Sequence, residues 1–429
     1  VGCGSIGQAM LPLLRRHITL PEDGLTVLEA SEQGRAFASA NQARFVHCHL
    51  KPATYQRELK RRLKQGDLLL NLSVDVSSLD LVKWCSEHGV LYVDTSIEPW
   101  PGVFDNPMLT MRERTNYRTR EDMLKLGRRL KPGSATAVVD HGANPGLVSH
   151  FVKQALLDLA SGQNRGTDAP AEASGWATLA RDLGVSLIQI SERDTQATDR
   201  PKRPNEFVNT WSIDGFVSEG SQPAELGWGT HERHFPRDGR QHDFGRKSAI
   251  FLAQPGCATR VRTWTPEAKH FHGFLITHGE SISISDYLTV RQNDRVLYRP
   301  TVHYAYHPSD NAVLSVHEFC GRNFQLQERK RIMMDDITSG IDELGVLLAG
   351  HPKNAYWFGS QLSIEEARKL APYNSATSLQ VTVAALAGMI WAIENPAMGV
   401  VEPDDLDFRR NIEICRPYLG PVIGKYTDW

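Results

Sequence analysis

The fold of this chain is decided by six residues near its start, Gly2-Cys3-Gly4-Ser5-Ile6-Gly7, which run into a helix candidate with apolar residues at Met10, Leu13 and Leu14. In a G-x-G-x-x-G motif the first glycine allows a tight turn, the second lets the backbone approach a pyrophosphate, and the third lets the helix pack closely. The helix N-terminus then offers N–H donors to the anion. The motif predicts a dinucleotide site formed by Gly2, Gly4, Ser5, Ile6 and Gly7. A glycine-rich turn without a ligand is the alternative.

Glu29 indicates which dinucleotide fits. It ends the next predicted strand, about 20 residues after the last glycine, where a carboxylate accepts hydrogen bonds from the ribose hydroxyls. A carboxylate there also repels the 2′-phosphate of NADP, so NAD is the favoured cofactor. Arg35, a little further along, leaves NADP as an alternative cofactor. For Glu29 itself, the alternative is a solvated side chain at a strand end without a ligand.

Residues 1–145 alternate between strand and helix signals, the pattern of βαβ units in a parallel sheet. The strand candidates are 25–29, 44–47, 67–72, 90–94 and 137–140, and the helix candidates are 6–16, 54–63, 78–88 and 112–131. The fold class is therefore α/β, with a Rossmann-type doubly wound parallel sheet. An apolar helix at about 375–396 is expected to return to this domain. Ligands of such sheets lie beyond the carboxyl ends of the strands, which adds four cofactor-binding candidates, Asn71, Ser73, Asp94 and Thr95.

Residues 146–370 carry a different signal and are expected to form a substrate and dimerisation domain. Runs rich in β-branched and aromatic residues at 185–191, 274–276, 281–290 and 301–306 predict an α+β domain with a mostly antiparallel sheet. Residues 161–174 are small and polar and predict a surface loop. Residues 397–429 are expected to be a C-terminal tail. A β-rich face of this size commonly needs covering, so we expect a homodimer.

Composition excludes several classes of partner. The 429 residues hold 48 Lys plus Arg and 50 Asp plus Glu, so no strong field attracts nucleic acid or an anionic membrane. No apolar run suggests a membrane span. The six cysteines form no CxxC pair, which predicts reduced thiols in a cytoplasmic enzyme, and the histidines lack the spacing of a metal site. Because the chain opens inside the glycine motif, we expect the natural N-terminus to lie upstream.

Several longer stretches resemble a known family. They are LLLNLSVDVSS at 68–78, LYVDTSIEPWPG at 91–102, VVDHGANPGLVSHFVKQAL at 138–156, ISERDTQ at 190–196 and ITHGES at 276–281. Together with the glycine motif they resemble the bacterial homospermidine synthases, which belong to the saccharopine dehydrogenase-like proteins. The resemblance covers nearly the whole chain.

The resemblance implies a redox-neutral reaction with NAD as the relay. NAD⁺ takes hydride from a carbon of putrescine that bears an amine, the imine loses ammonia, and a second amine condenses with that carbon. NADH returns the hydride, which gives sym-homospermidine. The implied partners are diamines and polyamines, putrescine and possibly spermidine as the aminobutyl donor.

The resemblance also implies roles for individual residues. Glu192 is the central carboxylate beside the reacting amine, and Trp211 offers an indole face to a cationic intermediate. His278 and Asn144 complete the implied catalytic set, and the residues implied in substrate binding are Asp75, Glu98 and Glu219. Taken one by one, these residues have ordinary structural readings: a surface charge for Glu192, a core side chain for Trp211 and a hydrogen-bonded structural residue for His278. Asn144 could cap the helix after it or reach the nicotinamide as a cofactor-binding residue.

Two other functions remain open at this point. A saccharopine or carboxynorspermidine dehydrogenase would perform net reductive amination, and its carboxylate substrates would require arginines in the pocket. An acidic pocket instead suits amines. A non-catalytic NAD-binding sensor or scaffold would lack convergent acidic residues near the nicotinamide.

Overall fold

The computed structural model describes residues 1–104, 106 and 108–429. No predicted site residue lies outside these ranges. The first part of the chain alternates between helices and short strands. Its elements are α1 (Ser5–His17), β1 (Thr26–Glu29), α2 (Arg35–Ala40), β2 (Arg44–His47), α3 (Tyr55–Lys60), β3 (Leu68–Asn71), α4 (Ser78–His88), β4 (Leu91–Asp94), a 3-10 turn (Met111–Arg114), α5 (Asn116–Gly127) and β5 (Ala137–Val138).

Parallel pairing joins these strands into one layer. β1 pairs with β2, and β3, β4 and β5 pair in that order. Val1 and Gly2 lie between the two groups: the Val1 amino group donates to Leu70 O at 2.7 Å, Leu72 N donates to Val1 O at 2.8 Å, and Gly2 N donates to Leu28 O at 2.9 Å. The predicted doubly wound parallel sheet is confirmed. It places the glycine motif at the centre, where strand order reverses and ligands bind.

The second part of the chain builds a larger mixed sheet. Its elements are α6 (Leu147–Gly162), α7 (Ala173–Leu183), β6 (Leu187–Asp194), β7 (Ala197–Thr198), β8 (Glu206–Asn209), α8 (Ile213–Ser221), β9 (Pro223–Gly227), β10 (Gly239–Gln241), β11 (Ala249–Pro255), a 3-10 turn (Gly256–Ala258), β12 (Arg260–Thr265), β13 (Lys269–Phe274), α9 (Gly279–Tyr287), β14 (Val290–Gln292), β15 (Arg295–Tyr298), β16 (Thr301–His307), α10 (Asp310–Gly321), β17 (Arg329–Ile332), β18 (Ile337–Ser339), β19 (Ile341–His351), β20 (Asn354–Ser363) and α11 (Ile364–Leu370). The main path runs β10-β11-β9-β16-β6-β19-β20. β16 and β6 are parallel and the other neighbours on this path antiparallel, as the mostly antiparallel prediction requires.

The strand predicted at 281–290 is wrong, because most of it belongs to helix α9. Its Ser-Ile alternation has the period of a half-buried strand. The segment is instead buried on all sides: every residue from Gly279 to Asp286 is buried, and α9 packs against α5, α6, β9 and β16. A serine can be satisfied in such a core, since Ser285 Oγ donates to the backbone oxygen of Pro300 at 3.1 Å. Alternation therefore carries no information about a solvent face here.

The last segment returns to both sheets. Its elements are α12 (Ala376–Glu394), β21 (Val400–Val401), a 3-10 turn (Pro403–Asp405), α13 (Phe408–Cys415), a second 3-10 turn (Arg416–Tyr418) and β22 (Val422–Thr427). β21 extends the first sheet beside β5, and β22 pairs with β20 at the edge of the second. Residues 397–429 are thus part of both domains rather than the expected tail.

Within the described residues, α12 is the single helix whose length and composition would allow it to cross a membrane. However, 83% of its apolar window is buried, and it packs against α1, α13 and β4. It is the core helix that ties the two domains together.

Candidate active site

The glycine motif forms a cradle whose fit to a pyrophosphate can be read from the space around each glycine. Gly2 has φ +90°, and a Cβ there would lie 2.8 Å from Leu72 O. A Cβ on Gly7 would lie 2.5 Å from Gly2 O, whereas one on Gly4 would meet nothing within 4 Å. Two glycines are therefore required by packing, and the open face at Gly4 leaves room for a ligand. At the same helix end, Ser5 Oγ is buried without a hydrogen-bond partner in the described chain.

Glu29 lies where a ribose would bind. Its carboxylate accepts the backbone N–H of Cys3 at 2.7 Å and that of Ser31 at 3.0 Å, which fixes its position beside the motif. Glu29 lines a cavity of about 200 Å³ together with Val1, Gly2 and Asp75. Arg35, the residue that kept NADP open, is paired with Glu32 and does not line this cavity.

The four strand-end candidates occupy different depths. Ser73 Oγ donates to Asn71 Oδ1 at 2.6 Å, directly after β3. Thr95 packs against the turn at Gly142. Asp94 is fully buried and accepts Asp140 N at 2.7 Å and Tyr92 Oη at 2.7 Å, and burial raises its pKa to about 7. Asp94 thus lies beneath the crevice, where it holds Asp140.

A second, narrow cleft lies between the two sheets. Its lining combines three carboxylates and one histidine with small polar and apolar groups: Ser96, Ile97, Glu98, Phe104, Asn116, Thr119, Asp140, Pro145, Glu219, Gln222, Thr277, His278 and Gly279. Of the residues predicted from the sequence, Glu98, Glu219 and His278 meet here. Neither lysine nor arginine is present in this lining, among the residues that the structure describes.

Glu98 connects this cleft with the dinucleotide cavity. Burial, with the negative charges of Glu219 and Asp75, raises the pKa of Glu98 to about 8, although a hydrogen bond from the backbone of Asp75 opposes the shift. Asp75 itself lines the dinucleotide cavity. The two predicted substrate carboxylates are therefore neighbours at the junction of the cavities.

Glu192 lies on β6 behind the turn that carries Asn144. One of its oxygens, Oε2, accepts Tyr304 Oη at 2.6 Å and Asn144 Nδ2 at 3.0 Å. The residue is 3% exposed. Burial raises the pKa of Glu192 to about 8, so near neutrality this carboxyl group can take up or release a proton.

His278 lies between two carboxylates at the start of α9. Its Nε2 is 2.9 Å from Glu219 Oε2, and its Nδ1 is 3.4 Å from Glu280 Oε1. Burial alone would lower the pKa of His278, but the two carboxylates outweigh it and raise that pKa well above its usual value. Its ring lies 4.5 Å from that of Tyr304, which links it to Glu192.

Trp211 stands at the edge of the same group. Its indole Nε1 donates to Tyr306 Oη at 3.2 Å, and the Tyr306 ring stacks on Tyr304 at 5.4 Å. Trp211 is half-buried and also packs on Phe216 of α8, the helix that carries Glu219. The structure thus brings together all four predicted catalytic residues, Asn144, Glu192, Trp211 and His278.

The sequence reasoning missed Tyr304, Glu280 and Asp140. Asp140 accepts Ile97 N at 3.1 Å, and burial with the charges of Asp94 and Glu280 raises its pKa well above normal. Asp140 and Glu280 lie inside the quoted VVDHGANPG and ITHGES stretches, so those motifs held the signal. Tyr304 lies in an ordinary strand pattern. No three His, Cys, Asp or Glu side chains in the described ranges are grouped to hold a metal ion.

Comparison with known proteins agrees with this geometry. The chain matches the saccharopine dehydrogenase NADP binding domain over residues 1–138 and the saccharopine dehydrogenase C-terminal domain over residues 142–427. It is 53% identical to the homospermidine synthase of Blastochloris viridis, over 100% of this chain and 91% of the relative, and 49% identical to that of Mesorhizobium japonicum, over 100% and 90%.

A solved structure gives the same result. The homospermidine synthase of Legionella pneumophila, in complex with NAD, superimposes with a TM-score of 0.93 at 44% identity, covering 100% of this chain and 90% of that one. The similarity in sequence and in backbone structure thus extends along the full chain. This chain belongs to the homospermidine synthase family of the saccharopine dehydrogenase-like proteins.

Proposed function

We propose that this chain is an NAD-dependent homospermidine synthase that transfers an aminobutyl group from one putrescine to another. The observation that carries the proposal is the set of ionisable side chains in the cleft, whose described lining holds Glu98, Asp140 and Glu219 without a lysine or arginine. A bound ammonium group favours ionisation of a carboxyl beside it, even one such as Glu98 whose pKa is raised by burial, whereas the carboxylate substrates of a reductive-amination enzyme call for guanidinium groups. The absence of such groups from the described lining disfavours the saccharopine or carboxynorspermidine dehydrogenase alternative.

Bound NAD would supply the hydride acceptor for amine oxidation and the hydride donor for the final reduction. Gly4 and Ser5 would hold its pyrophosphate at the α1 N-terminus, where Ser5 Oγ has no hydrogen-bond partner in the described chain. Glu29 would bind the ribose hydroxyls. The NAD held by the relative from Legionella pneumophila supports this assignment.

Glu192 is suited to the first proton transfer. An ammonium group must lose a proton before hydride can leave its carbon, and a carboxylate with a pKa of about 8 is matched to that task. The hydrogen bonds from Tyr304 and Asn144 hold one oxygen of Glu192 and leave the other for the amine. Trp211 presents its indole face to the positive charge of the iminium stage.

His278 is suited to the release of ammonia. Because Glu219 and Glu280 keep it protonated, it can donate a proton to the departing amine. Glu219 is also placed to attract the incoming second diamine. Asp75 and Glu98, at the junction of the two cavities, would bind the distal ammonium.

We also propose a cytoplasmic homodimer. Support comes from β10 (Gly239–Gln241), which lies at one end of the large sheet and whose residues Arg240 and Gln241 are exposed. An exposed sheet edge presents unpaired N–H and C=O groups with which a strand of a second chain can pair. Light scattering tests the assembly, and a monomer mass contradicts it.

The test of the function is product analysis by mass spectrometry. Purified protein is incubated with putrescine and NAD⁺ without a reductant, in parallel with an amino acid, an aldehyde and NADH. Homospermidine in the first incubation alone, with no net loss of NAD⁺, is the expected result. NADH consumption in the second, without polyamine product in the first, overturns the proposal.

A further inference from the structure

Two cysteines that take no part in the proposed reaction lie side by side in the second domain. Cys257 is in the 3-10 turn Gly256–Ala258, and Cys320 is near the end of α10. Their sulfurs are 3.9 Å apart, although 63 residues separate them in sequence. Cys257 is buried and Cys320 is partly exposed, so one member of the pair is open to a small solute.

The pKa values of the two thiols also favour oxidation of the pair. The hydrogen bond from the Cys257 thiol lowers the pKa of Cys320 to about 7, and Arg260 favours the thiolate as well. The same hydrogen bond, followed by burial, raises the pKa of Cys257. The lower pKa makes Cys320 the member of the pair that ionises first and attacks an oxidant, with the Cys257 thiol within reach.

The turn that holds Cys257 touches both segments that carry Glu219 and His278. A Cβ built on Gly220, the residue after Glu219, would lie 3.3 Å from the Cys257 Cβ. Gly256 N donates to Gln222 O at 3.1 Å, just beyond α8. On its other side Gly256 packs on Leu275, three residues before His278, where an added Cβ would lie 2.5 Å from the Leu275 oxygen.

We propose that Cys257 and Cys320 are a site of reversible oxidation, at which hydrogen peroxide forms a disulfide that slows the enzyme. The Cys320 thiolate attacks one peroxide oxygen, which breaks the O–O bond and gives a sulfenic acid and hydroxide. The Cys257 thiol gives its proton to that hydroxide, which becomes water, and the Cys257 sulfur attacks the sulfenic sulfur and displaces its oxygen as a second hydroxide. This hydroxide takes up the proton that Cys320 released to solvent when it ionised, so in total two thiols lose two electrons and two protons and one peroxide becomes two waters.

The structure gives the expected size of the effect. The sulfurs must close from 3.9 Å to about 2 Å, and we expect the turn that carries Cys257, between α8 and Leu275, to shift with them. Because a misplacement of about 1 Å at a reacting centre costs roughly 100-fold in rate, we expect homospermidine formation to fall by at least about tenfold. Dithiothreitol should restore it.

The experiment treats the full chain with hydrogen peroxide and maps its peptides without reduction. We expect a linked peptide joining Cys257 to Cys320 and altered amide hydrogen exchange at 213–222 and 275–279. Cys320→Ser, which leaves the cleft unchanged, should keep its basal rate and lose both the linkage and the peroxide inhibition. The mapping and the exchange do not depend on the proposed function, on which the rate measurement alone rests.

Three results would overturn the proposal. One is that both thiols stay free at peroxide concentrations that oxidise Cys48, the other partly exposed cysteine. Another is a linked pair with unchanged exchange at both segments and an unchanged rate. The third is equal inhibition of Cys320→Ser and the natural chain.

Discussion

Replacing Glu192 with glutamine should make the protein more stable and nearly inactive. The two hydrogen bonds that Glu192 accepts, from Tyr304 and Asn144, both end on Oε2. A glutamine carbonyl can keep both and point its NH₂ group where Oε1 lies. What is lost is the ability to accept a proton and to attract a cation.

The gain in stability follows from the pKa of Glu192, which rises from 4.5 to about 8 on folding because the carboxyl is buried. Below pH 4.5 the group is neutral in both states and costs nothing. As pH rises from 4.5 to 8 the unfolded chain ionises and the folded protein does not, so stability is lost across that interval. At pH 7 the cost is about 3 kcal/mol, which glutamine removes.

The loss of activity follows from the proposed proton transfer. A positioned general base contributes roughly 10²–10⁴ in rate, so kcat for homospermidine formation should fall by that factor. The assay is product mass spectrometry beside thermal unfolding at pH 5, 7 and 8. The unfolding temperature of Glu192→Gln should exceed that of the natural chain at pH 8 and approach it at pH 5.

Glu343→Gln is the matched control. Glu343 is equally buried, but its oxygens accept four hydrogen bonds from Thr265, Gln361 and the backbone of residues 267 and 268. Removing that charge should lower the unfolding temperature. A Glu192→Gln variant that is less stable than the natural chain at pH 8 would contradict the assigned cost of burying Glu192. One that forms homospermidine within fivefold of the natural rate would exclude Glu192 as the general base.

Three further predictions concern the cation, the proton donor and the cofactor. Trp211→Ala should slow homospermidine formation by roughly 2- to 30-fold, the range for a cation–π contact, and Trp211→Phe by less; equal rates for both would contradict a role of the ring. Glu219→Gln should lower the pKa of His278, so the alkaline limb of kcat/KM, where protonated His278 is lost, should move to lower pH; an unmoved limb would exclude His278 as the acid. Glu29→Ala should weaken NAD binding by roughly tenfold or more, because two ribose hydroxyls lose their acceptor. The variant should also show a smaller preference for NAD over NADP, which calorimetry with both nucleotides tests.

The sequence predicts most of the cofactor domain because its signals are local. A glycine motif, a carboxylate at the next strand end and a 3.6-residue apolar period each arise within a few residues. The bounds of β2 and α4 agree with the predicted ranges 44–47 and 78–88. The predicted 137–140 strand is shorter, since its last residue, Asp140, turns away with φ +61° to accept Ile97 N.

The rest depends on contacts between distant segments. Tyr304 belongs to the site because β16 lies parallel to β6 in a register that sets it opposite Ile190, from where its hydroxyl reaches Glu192 two residues further along. No pattern within β16 predicts that partner. Asp94 looks like a crevice residue by its place after β4, yet the fold buries it under Asp140. Helix α9 shows the same limit, since tertiary packing overrides the strand pattern of its serines and isoleucines.

In the proposed reaction, hydride leaves one carbon of putrescine and returns to that same carbon without leaving the active site. The decisive experiment incubates putrescine, deuterated at both amine-bearing carbons, with the protein, NAD⁺ and an excess of unlabelled NADH, and then analyses the product by mass spectrometry. We expect homospermidine that keeps all the deuterium of its two parent diamines, with no net change in NADH. Homospermidine that has lost one deuterium to hydrogen from added NADH would contradict the proposed reaction.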